Sequence, residues 1–567
     1  MLRNHYLYSL KQTMNKTIIY QVLPRLYGNR NTTRKPNGTI EENGCGKLND
    51  FSAAELKEIK KKGVTHIWYT GVIRHASKTD YSAHGIPRQH PAVIKGQAGS
   101  PYAIADYYDI DPDLAVDVEK RMEEFEALVS RTHKAGMKVV IDFVPNHVAR
   151  QYKSLFQPKG VKGLGDDDDP QQGFSPKNNF YYCPGEQFSP YFDIYSGEAE
   201  PYVEIPAKAT GNDHFDSRPG RNDWYETVKL NYGVDYYAGG IGLFDPTPDT
   251  WQKMLDIMRF WASKGVDAFR CDMAEMVPSA FWSWALSRLK KDYPEITIIG
   301  EVYNPSLYRS YIASGFDLLY DKVGMYDTLR AVTCGYASAS AITGAWQATD
   351  DIADNMLYFL ENHDEQRIAS DFFAGCPFKA VPALAVSLLL RRNPFMLFEG
   401  EEYGERGMDA EGFSGRDGRT TIFDYWSIDT LCRAAANQLT DDERRLADIH
   451  GKLIAIAQKE KAVSEGEFFD LMYVNPASAT FNPYRHYTFL RKAGKTLLLV
   501  VANFDEKEAN VSVTIPAHAF DYLNIDEGNH KAKELLTDMV SPVALTKDGS
   551  LQATVPAYGV AVYKITL

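Results

Sequence analysis

Four short stretches of this chain place carboxylates where a folded α/β protein could gather them: DFVPNH at 142–147, FRCD at 269–272, IIGE at 298–301 and ENHD at 361–364. Each carboxylate stands at or just beyond the end of an apolar, strand-like run. Two stretches add a histidine beside an asparagine or an aspartate, and one adds an arginine two positions before its aspartate. Acids fixed at strand ends predict an active site whose chemistry is performed by carboxylates.

The neighbours of two of these acids indicate different chemical tasks. Side chains alternate along a strand, so Arg270 and Asp272 share a face. We expect the guanidinium to favour the ionised form of Asp272 and to lower its pKa, which suits a nucleophile. Glu301 follows the apolar run 298–300 and is the candidate proton carrier. A nucleophilic carboxylate and a proton-carrying carboxyl group are the pair that retaining glycoside hydrolysis requires.

Strand-like runs alternate with amphipathic helical segments between residues 17 and 400. This alternation predicts an α/β fold of the (β/α)₈ TIM-barrel type, in which the C-terminal ends of the strands form one face. Asp142, Asp272, Glu301 and Asp364 would converge on that face. Several helical segments end in Gly, which suits a helix C-cap. The eight strand-like runs are 17–23, 65–72, 138–144, 266–272, 296–301, 316–321, 356–362 and 394–400.

Two parts of the chain depart from this alternation. The connection over 148–240 is rich in Gly, Pro, Asn, Asp and Tyr, and it is too long for a structureless loop, so it predicts an inserted domain after the third strand. From about 465 the pattern changes to short alternating strands. We therefore predict a barrel formed by 1–147 and 241–460, an inserted domain over 148–240, and a C-terminal all-β sandwich domain over 461–567.

Composition limits the partners and the cellular location. The chain has 62 basic and 75 acidic residues, a net charge of −13, which argues against nucleic-acid or anionic-membrane binding. The six cysteines lack metal-ligand spacing and are predicted to be free thiols. The first residues lack a secretory signal, and the longest apolar run, 381–390, is about half of a membrane span. These features predict a cytoplasmic protein and leave its oligomeric state open.

The motifs resemble those of glycoside hydrolase family 13, the α-amylase family. Their order along the chain is also that of the family, and the resemblance covers roughly 17–410 by motif. Beyond the motifs, it implies a barrel, a domain B inserted after strand three and a β-sandwich domain C. The stretches that carry it are DFVPNH (DxxxNH in the family), FRCD (FRxD), GEV at 300–302, NHD at 362–364, SPYAIADYYDIDP at 100–112 and FEGEEYG at 398–404.

The resemblance implies a role for each of three acids. Asp272 would be the nucleophile and Glu301 the general acid/base. Asp364 would stabilise the transition state by holding sugar hydroxyls at the subsite where cleavage occurs, the −1 subsite. These assignments agree with the chemistry that Arg270 and Asp272 suggest by themselves.

Further residues would bind the same sugar. By resemblance, Tyr102 stacks on the sugar, whereas His147 and His363 donate hydrogen bonds to it. Arg270 would orient the nucleophile. Asp142 is interpreted as a structural acid that fixes its neighbours.

Two departures from the family pattern bear on specificity and on metal binding. Many family amylases carry Ala-x-Lys-His after the nucleophile, but this chain carries Met-Ala-Glu-Met at 273–276, and KLNYG at 229–233 is a variant of the domain-B motif. Linkage preference and product length are therefore left open. The chemistry would need no cofactor. Asn146 matches a family calcium ligand, so the resemblance implies either a structural calcium ion at Asn146 or an asparagine that serves only structurally, as in many members of the family.

Three functions remain after this comparison. The first is a retaining hydrolase that cleaves α-1,4-glucosidic bonds in starch, glycogen or maltooligosaccharides. The second is a 4-α-glucanotransferase, which passes the same covalent intermediate to a sugar instead of to water. The third is a non-catalytic sugar-binding or scaffold relative. Such relatives lack the catalytic carboxylates and carry a membrane anchor, whereas this chain has all three acids and no apparent anchor.

Overall fold

A closed barrel of eight parallel strands forms the centre of the protein in the computed structural model, which describes residues 16–194 and 200–567. Each strand lies within one of the eight predicted runs, and strands that are neighbours along the chain are neighbours in the barrel, which closes where the first strand pairs with the last. The predicted TIM barrel is thereby confirmed. Its strands are β1 Ile18–Val22, β2 His66–Tyr69, β3 Lys138–Phe143, β4 Ala268–Cys271, β5 Thr297–Gly300, β6 Leu318–Tyr320, β7 Met356–Phe359 and β8 Phe395–Phe398.

The predicted amphipathic segments form helices around the barrel. Gly136 and Gly265 follow two of them with φ of +75° and +89°, left-handed values that glycine adopts at low cost at a helix end. The α-helices of six or more residues are α1 Ala53–Lys61, α2 Arg121–Lys134, α3 Asp249–Ser263, α4 Ser279–Asp292, α5 Tyr308–Ala313, α6 Asp327–Thr333, α7 Ala341–Ala348, α8 Val381–Leu389, α9 Asp429–Ala435, α10 Asp441–Lys459 and α11 Ala517–Leu523. None of the helices in the described residues is both long and apolar enough to cross a membrane.

The barrel interior changes from apolar to charged along its axis. Because side chains alternate along a strand, the inward series on β3 runs from Val140 to Asp142, and that on β4 runs from Ala268 to Arg270. Val140 and Ala268 belong to a buried apolar cluster inside the barrel. Asp142 and Arg270 lie opposite each other in register, nearer the C-terminal ends of their strands. The sequence alternation therefore directs charged side chains to the face where the active site was predicted.

The segment between β3 and α3 is built from very short antiparallel pairs. His147–Ala149 pairs with Thr227–Lys229, and Tyr182–Cys183 pairs with Ala207–Lys208. A small apolar cluster that includes Phe188 is formed mainly by this segment, together with Val93 from the loop after β2. Within its described residues, 150–194 and 200–240, there is no helix. The segment has the organisation expected of an inserted domain, although its boundaries remain predictions.

The C-terminal region contains two antiparallel sheets. Their strands are β9 Glu467–Asp470, β10 His486–Ala493, β11 Thr496–Asn503, β12 Ala509–Ile515, β13 Gly528–Glu534, β14 Val540–Leu545, β15 Gly549–Val555 and β16 Gly559–Thr566. A six-stranded sheet has the order β9-β10-β11-β16-β13-β14, and β12 pairs with β15 in a second sheet that contacts β11 and β16. The predicted all-β region is present, with α11 inserted between β12 and β13. The prediction that a signal sequence is absent concerns the first 15 residues, which lie outside the described part.

Candidate active site

A fully buried guanidinium, that of Arg270, lies at the centre of the predicted acids. Its Nη1 donates to Asp272 Oδ1 at 2.7 Å, and its Nη2 lies 2.8 Å from Glu301 Oε2. Asp142 Oδ1 is 3.7 Å from the same Nη1. Arg270 thus holds the candidate nucleophile and the candidate acid/base together. We call Asp142, Asp272, Glu301 and the nearby Asp364, gathered around Arg270, the carboxylate cluster.

The strand ladder fixes the backbone of the two candidate catalytic acids. The N–H of Asp272 donates to the carbonyl of Phe143 at 2.9 Å, and the N–H of Glu301 donates to the carbonyl of Cys271 at 3.1 Å. Both acids therefore follow their strands without a break in the hydrogen-bond pattern. Rigid strand ends hold catalytic groups more accurately than loops do.

The candidate sugar-binding residues form a connected group beside the cluster. His363 Nε2 lies 2.6 Å from the hydroxyl of Tyr102 and 3.1 Å from Asp364 Oδ2, and its Nδ1 lies 2.7 Å from Gln21 Nε2. The rings of His363 and Tyr102 are stacked with centroids 5.2 Å apart. The Tyr102 hydroxyl also donates to Asp142 Oδ1 at 3.4 Å. Both nitrogens of His363 are therefore engaged by protein groups.

His147 lies at the start of the short strand that follows β3. It is buried, its ring is 5.2 Å from that of Trp224, and its Nδ1 lies 3.2 Å from Asn146 Nδ2. Burial, together with the charges of Lys229 and Lys95, lowers the pKa of His147 to about 3. The imidazole is therefore neutral at physiological pH and can donate a hydrogen bond without carrying a charge.

The carboxylate cluster holds more acid than its one guanidinium can balance. Burial raises the pKa of Asp142 to about 6, and it raises that of Asp272 well above its ordinary range even though Arg270 opposes the shift. The predicted lowering of the Asp272 pKa is therefore wrong, because the desolvation of the charged form outweighs one ion pair.

Asp364 is the most accessible of the three candidate catalytic acids. Its side chain is 39% exposed, against 8% for Asp272 and 4% for Glu301. Burial by the walls around it and the negative charge of Glu301 raise the pKa of Asp364 to about 7. One face of Asp364 is therefore open to a ligand while the rest is enclosed by protein.

Two residues that the sequence analysis missed touch Glu301 directly. The Tyr303 hydroxyl donates to Glu301 Oε1 at 2.5 Å, and the N–H of Met273 donates to Glu301 Oε2 at 2.7 Å. Met273 adopts a left-handed conformation with φ of +41°, which is unusual for a side-chain-bearing residue. Glu275 Oε2 accepts from the N–H groups of Tyr303 and Asn304 at 3.1 and 3.0 Å. Glu275 therefore links the turns that follow β4 and β5.

Three further contacts were also missed, although the strand pattern contained a signal for them. Gln21, Trp68 and Tyr320 stand near the C-terminal ends of β1, β2 and β6 and contact the site. Trp68 Nε1 donates to Asp142 Oδ2 at 3.1 Å, and Arg270 Nε donates to the Tyr320 hydroxyl at 3.3 Å. Counting alternate positions along each predicted strand would have placed all three inside the barrel.

The surroundings of Asn146 do not fit calcium. Its Oδ1 accepts a hydrogen bond from the Lys229 ammonium, and its Nδ2 donates to the carbonyl of Gly211 at 2.7 Å. Calcium takes six to eight oxygen ligands, so a buried ammonium on the only amide oxygen leaves no cage for it. In the part of the chain that the structure describes, no group of three or more His, Cys, Asp and Glu side chains could hold a metal ion. Of the two roles that the resemblance leaves open for Asn146, these contacts favour the structural one over calcium binding.

The geometry of the cluster suits displacement at a sugar carbon. One guanidinium contacts both Asp272 and Glu301, so the two carboxyl groups face the same cation. Asp364 is the acid of this cluster whose side chain is exposed to a ligand. Such an arrangement can supply a nucleophile, a proton donor and a third acid for sugar hydroxyls.

Comparison with known proteins gives a match over most of the chain. A family model described as the α-amylase catalytic domain matches residues 21–449. The chain is 25% identical to α-amylase 3 of Dictyoglomus thermophilum over 391 residues, which cover 65% of this chain and 68% of that protein. It is 24% identical to a cyclomaltodextrin glucanotransferase of Geobacillus stearothermophilus over 418 residues, which cover 69% of this chain and 50% of that enzyme. The chain thus spans about half the length of several curated relatives.

Solved structures share the fold across nearly the whole chain. A maltogenic α-amylase from Thermotoga neapolitana superposes with a TM-score of 0.63 at 20% identity, covering 98% of this chain and 100% of that one. A debranching enzyme from Nostoc punctiforme gives 0.64 at 18% identity, with the same coverage of 98% and 100%. At these identities the likeness establishes the fold alone. Since the family model extends over residues 21–449 and the barrel is the one it implies, the chain belongs to the α-amylase family of glycoside hydrolases, family 13.

Proposed function

We propose that this protein is a retaining glycoside hydrolase that cleaves α-1,4-glucosidic bonds in starch, glycogen or maltooligosaccharides. The observation that carries the proposal is the contact of one buried guanidinium with both Asp272 and Glu301, at 2.7 and 2.8 Å. An inverting enzyme needs its two carboxyl groups about 6.5–9.5 Å apart, with room for a water molecule between them. Two carboxylates held by the same arginine favour the shorter spacing of a retaining enzyme.

In the first step, Asp272 attacks the anomeric carbon while Glu301 gives a proton to the leaving glycosidic oxygen. The bond to the leaving sugar breaks as the bond to Asp272 forms, which yields a covalent glycosyl-enzyme and a free sugar hydroxyl. Tyr303 and Met273 each donate to one oxygen of Glu301, so its carboxyl group is held in a fixed orientation. Fixed orientation reduces the entropy that must be lost in reaching the transition state.

In the second step, Glu301 takes a proton from a water molecule, whose oxygen attacks the anomeric carbon. The bond to Asp272 breaks, and the carboxylate leaves with the bonding electrons next to Arg270. The guanidinium stabilises that carboxylate by the 2.7 Å hydrogen bond. The sugar is released with the configuration that it had in the substrate.

Asp364, His147 and His363 would bind the sugar at the −1 subsite, and Tyr102 would stack on it. The open face of Asp364 and the neutral state of His147 suit hydrogen bonds to hydroxyl groups. Burial and the positive charge of Arg270 also lower the pKa of His363 well below its ordinary range. Because both histidines are neutral, they add no positive charge to a site that already contains the Arg270 guanidinium.

One cavity of the described residues lies outside the carboxylate cluster, and none of the candidate catalytic or −1 subsite residues lines it. It has a volume of about 550 Å³ and lies between the inserted segment and the loops after β2 and β8. Lys95 lines it and is close enough to His147 to lower the pKa of that histidine. Phe192 and Tyr225 also line it, but the cations of Arg221 and Lys95 lie over their rings at 5.3 Å each, so Phe413, which is 44% exposed, is the lining ring that is open to a sugar of a longer substrate.

A 4-α-glucanotransferase is the second candidate, because it uses the same covalent intermediate. Cyclomaltodextrin glucanotransferases are among the relatives of this chain, and its turn after Asp272 departs from the amylase pattern. A non-catalytic relative is disfavoured because all three acids of the family pattern are present in one cluster.

Product analysis separates these functions. The protein is incubated with maltoheptaose, soluble starch and pullulan, and products are separated over time. Shorter maltooligosaccharides alone support hydrolysis, products longer than maltoheptaose support transfer, and no turnover of any of the three refutes the proposed substrate class. Proton NMR during the first turnovers should show the α-anomer first, whereas the β-anomer would exclude the retaining mechanism.

A further inference from the structure

A lysine ammonium is buried where the inserted segment meets the barrel. Lys229 is 2% exposed. Its Nζ donates to Asn146 Oδ1 and to the carbonyl of Met276 at 3.3 Å, and it lies 2.6 Å from Asp213 Oδ1. An ammonium has three donors, and here each donor has one oxygen. We call Lys229 with Asn146, Asp213 and Met276 the Lys229 junction.

The three oxygens come from three separate parts of the chain. Asn146 follows β3, Asp213 belongs to the inserted segment, and Met276 lies in the turn that begins just after Asp272. Lys229 itself pairs with His147 in the short sheet between the inserted segment and the β3 end. The junction therefore connects the inserted segment to the two backbone turns that carry His147 and the candidate nucleophile.

The junction is balanced in charge as well as in hydrogen bonds. Asp213 supplies one carboxylate, and the other two oxygens are neutral. Burial lowers the pKa of Lys229, and the charge of Asp213 opposes that shift. A divalent cation brought to Asn146 would have to displace this ammonium and would find one carboxylate instead of a full oxygen cage.

A second lysine provides an internal comparison. Lys253 on α3 is 8% exposed, and its Nζ contacts the carbonyl of Gly163 at 2.8 Å, Asn179 Oδ1 at 2.8 Å and Asp249 Oδ2 at 2.7 Å. The acceptor set is again a carbonyl, an asparagine amide and an aspartate. This ammonium also joins the inserted segment to the barrel, but none of its contacts is on the turn after Asp272.

We propose that Lys229 is a built-in cation that takes the place of a bound metal ion, so that the inserted segment and the turn after Asp272 are positioned without calcium. Lys229 is a positioning residue, because the recorded contacts of its ammonium are with Asn146, Met276 and Asp213 and include neither Asp272 nor a side chain proposed to bind the sugar. It acts through Met276 on the turn of the nucleophile and through Asn146 on His147. Lys253 also joins the inserted segment to the barrel, but without a contact to the turn after Asp272, and it has a purely structural role.

The first test uses the unmodified protein. After dialysis against EDTA, its metal content, melting temperature and rate on maltoheptaose are compared with and without added calcium chloride. The proposal predicts no bound calcium and the same melting temperature and rate in both conditions. Stoichiometric calcium, or a melting temperature that falls in EDTA and recovers with calcium, would overturn it. Metal content and melting temperature do not depend on the proposed substrate, so failure here is distinct from failure of the proposed function.

The second test compares Lys229→Met with Lys253→Met. Both variants lose a buried cation and should melt at lower temperatures. Only Lys229→Met should also lose kcat, by about tenfold to 100-fold, since small displacements of catalytic groups cost that much. Equal kcat values in the two variants would refute the positioning role. Lys229→Arg keeps the positive charge, so it serves as a second test if Lys229→Met does not fold. It should retain most of the wild-type kcat in EDTA. A folded Lys229→Arg protein that loses kcat in EDTA and regains it when calcium is added would contradict the proposal.

Discussion

The carboxylate cluster and the Lys229 junction are each organised by one buried cation, but they differ in charge balance. Arg270 faces Asp142, Asp272 and Glu301, with Asp364 nearby, whereas Lys229 faces a single carboxylate and two neutral oxygens. The cluster therefore carries an excess of acid, and the junction carries none. Both regions lie on the same face of the barrel, so the difference comes from the side chains and not from their place in the fold.

The excess of acid appears as raised pKa values. Burial raises the pKa of Asp142 to about 6 and that of Asp364 to about 7, and it raises the pKa of Asp272 well above its ordinary range. Such a site binds protons near neutrality and is destabilised when it ionises fully. The junction fixes two turns with satisfied contacts instead. The residues proposed to perform the chemistry and the residues that position the backbone turns are thus neighbouring but separate sets.

Among the changes that test this difference between the two regions, removing the candidate nucleophile should have the largest effect on turnover. Asp272→Asn keeps the shape of the side chain but cannot form the glycosyl-enzyme, so turnover of maltoheptaose should fall by about 10⁴-fold or more. The melting temperature at pH 8 should not fall, because the change removes a buried negative charge. Far-UV circular dichroism checks the fold. Substantial activity in a folded Asp272→Asn protein would refute the assignment of the nucleophile.

Removing one donor to Glu301 should have an intermediate effect. Tyr303→Phe deletes the hydroxyl that donates at 2.5 Å, and a hydrogen bond to a charged group contributes about 1.5–3 kcal/mol, so kcat/KM should fall by about tenfold or more. Tyr326→Phe is a matched control, because its hydroxyl donates to Glu365, outside the cluster. Equal losses in the two variants would mean that the Tyr303 hydroxyl has no special role at Glu301.

The smallest effect concerns stability and its dependence on pH. A carboxyl group whose pKa is raised to about 7 in the folded state destabilises the fold as pH rises from about 4 towards 7, because the unfolded chain ionises first. Asp364→Asn removes this penalty and should raise the melting temperature at pH 8 by about 1–2 °C, a small shift because the side chain is partly screened by water.

The gain from Asp364→Asn should be much smaller at pH 4, where the folded wild-type chain holds the proton and the unfolded chain, with an ordinary pKa of about 3.9, is only about half ionised. Calorimetry at the two pH values measures it. A variant that melts below the wild type at pH 8 would contradict the idea that the cluster is unbalanced. At the Lys229 junction the melting temperature should change in the opposite direction. Lys229→Met should lower it, because the variant removes a charge that the carboxylate of Asp213 balances.

The strand ends were predictable because their signal is local. An apolar run followed by an acid is visible in the sequence, and all eight barrel strands lie within the runs that it identified. The face shared by Arg270 and Asp272 follows from alternation along one strand, and the 2.7 Å contact agrees with it. The partnership of Tyr303 with Glu301 escaped notice although they are two residues apart, because turn geometry after a strand end is not periodic.

Other features depended on residues that are distant in the sequence. The pKa of Asp272 was predicted to fall because its arginine neighbour is visible in the sequence, whereas the burial that raises it is created by many segments. Asn146 suggested calcium, but Lys229, 83 residues further along, reaches its amide oxygen. Neither the degree of desolvation nor this pairing is encoded in a short motif.

The sequence by itself determined the barrel, the family and the identity of the acids that gather at its C-terminal face, because strand periodicity and motif order are properties of consecutive residues. The tertiary structure decided how those acids share one guanidinium and which cation fastens the inserted segment. Those outcomes depend on burial and on distances between remote residues, which arise only when the chain is packed.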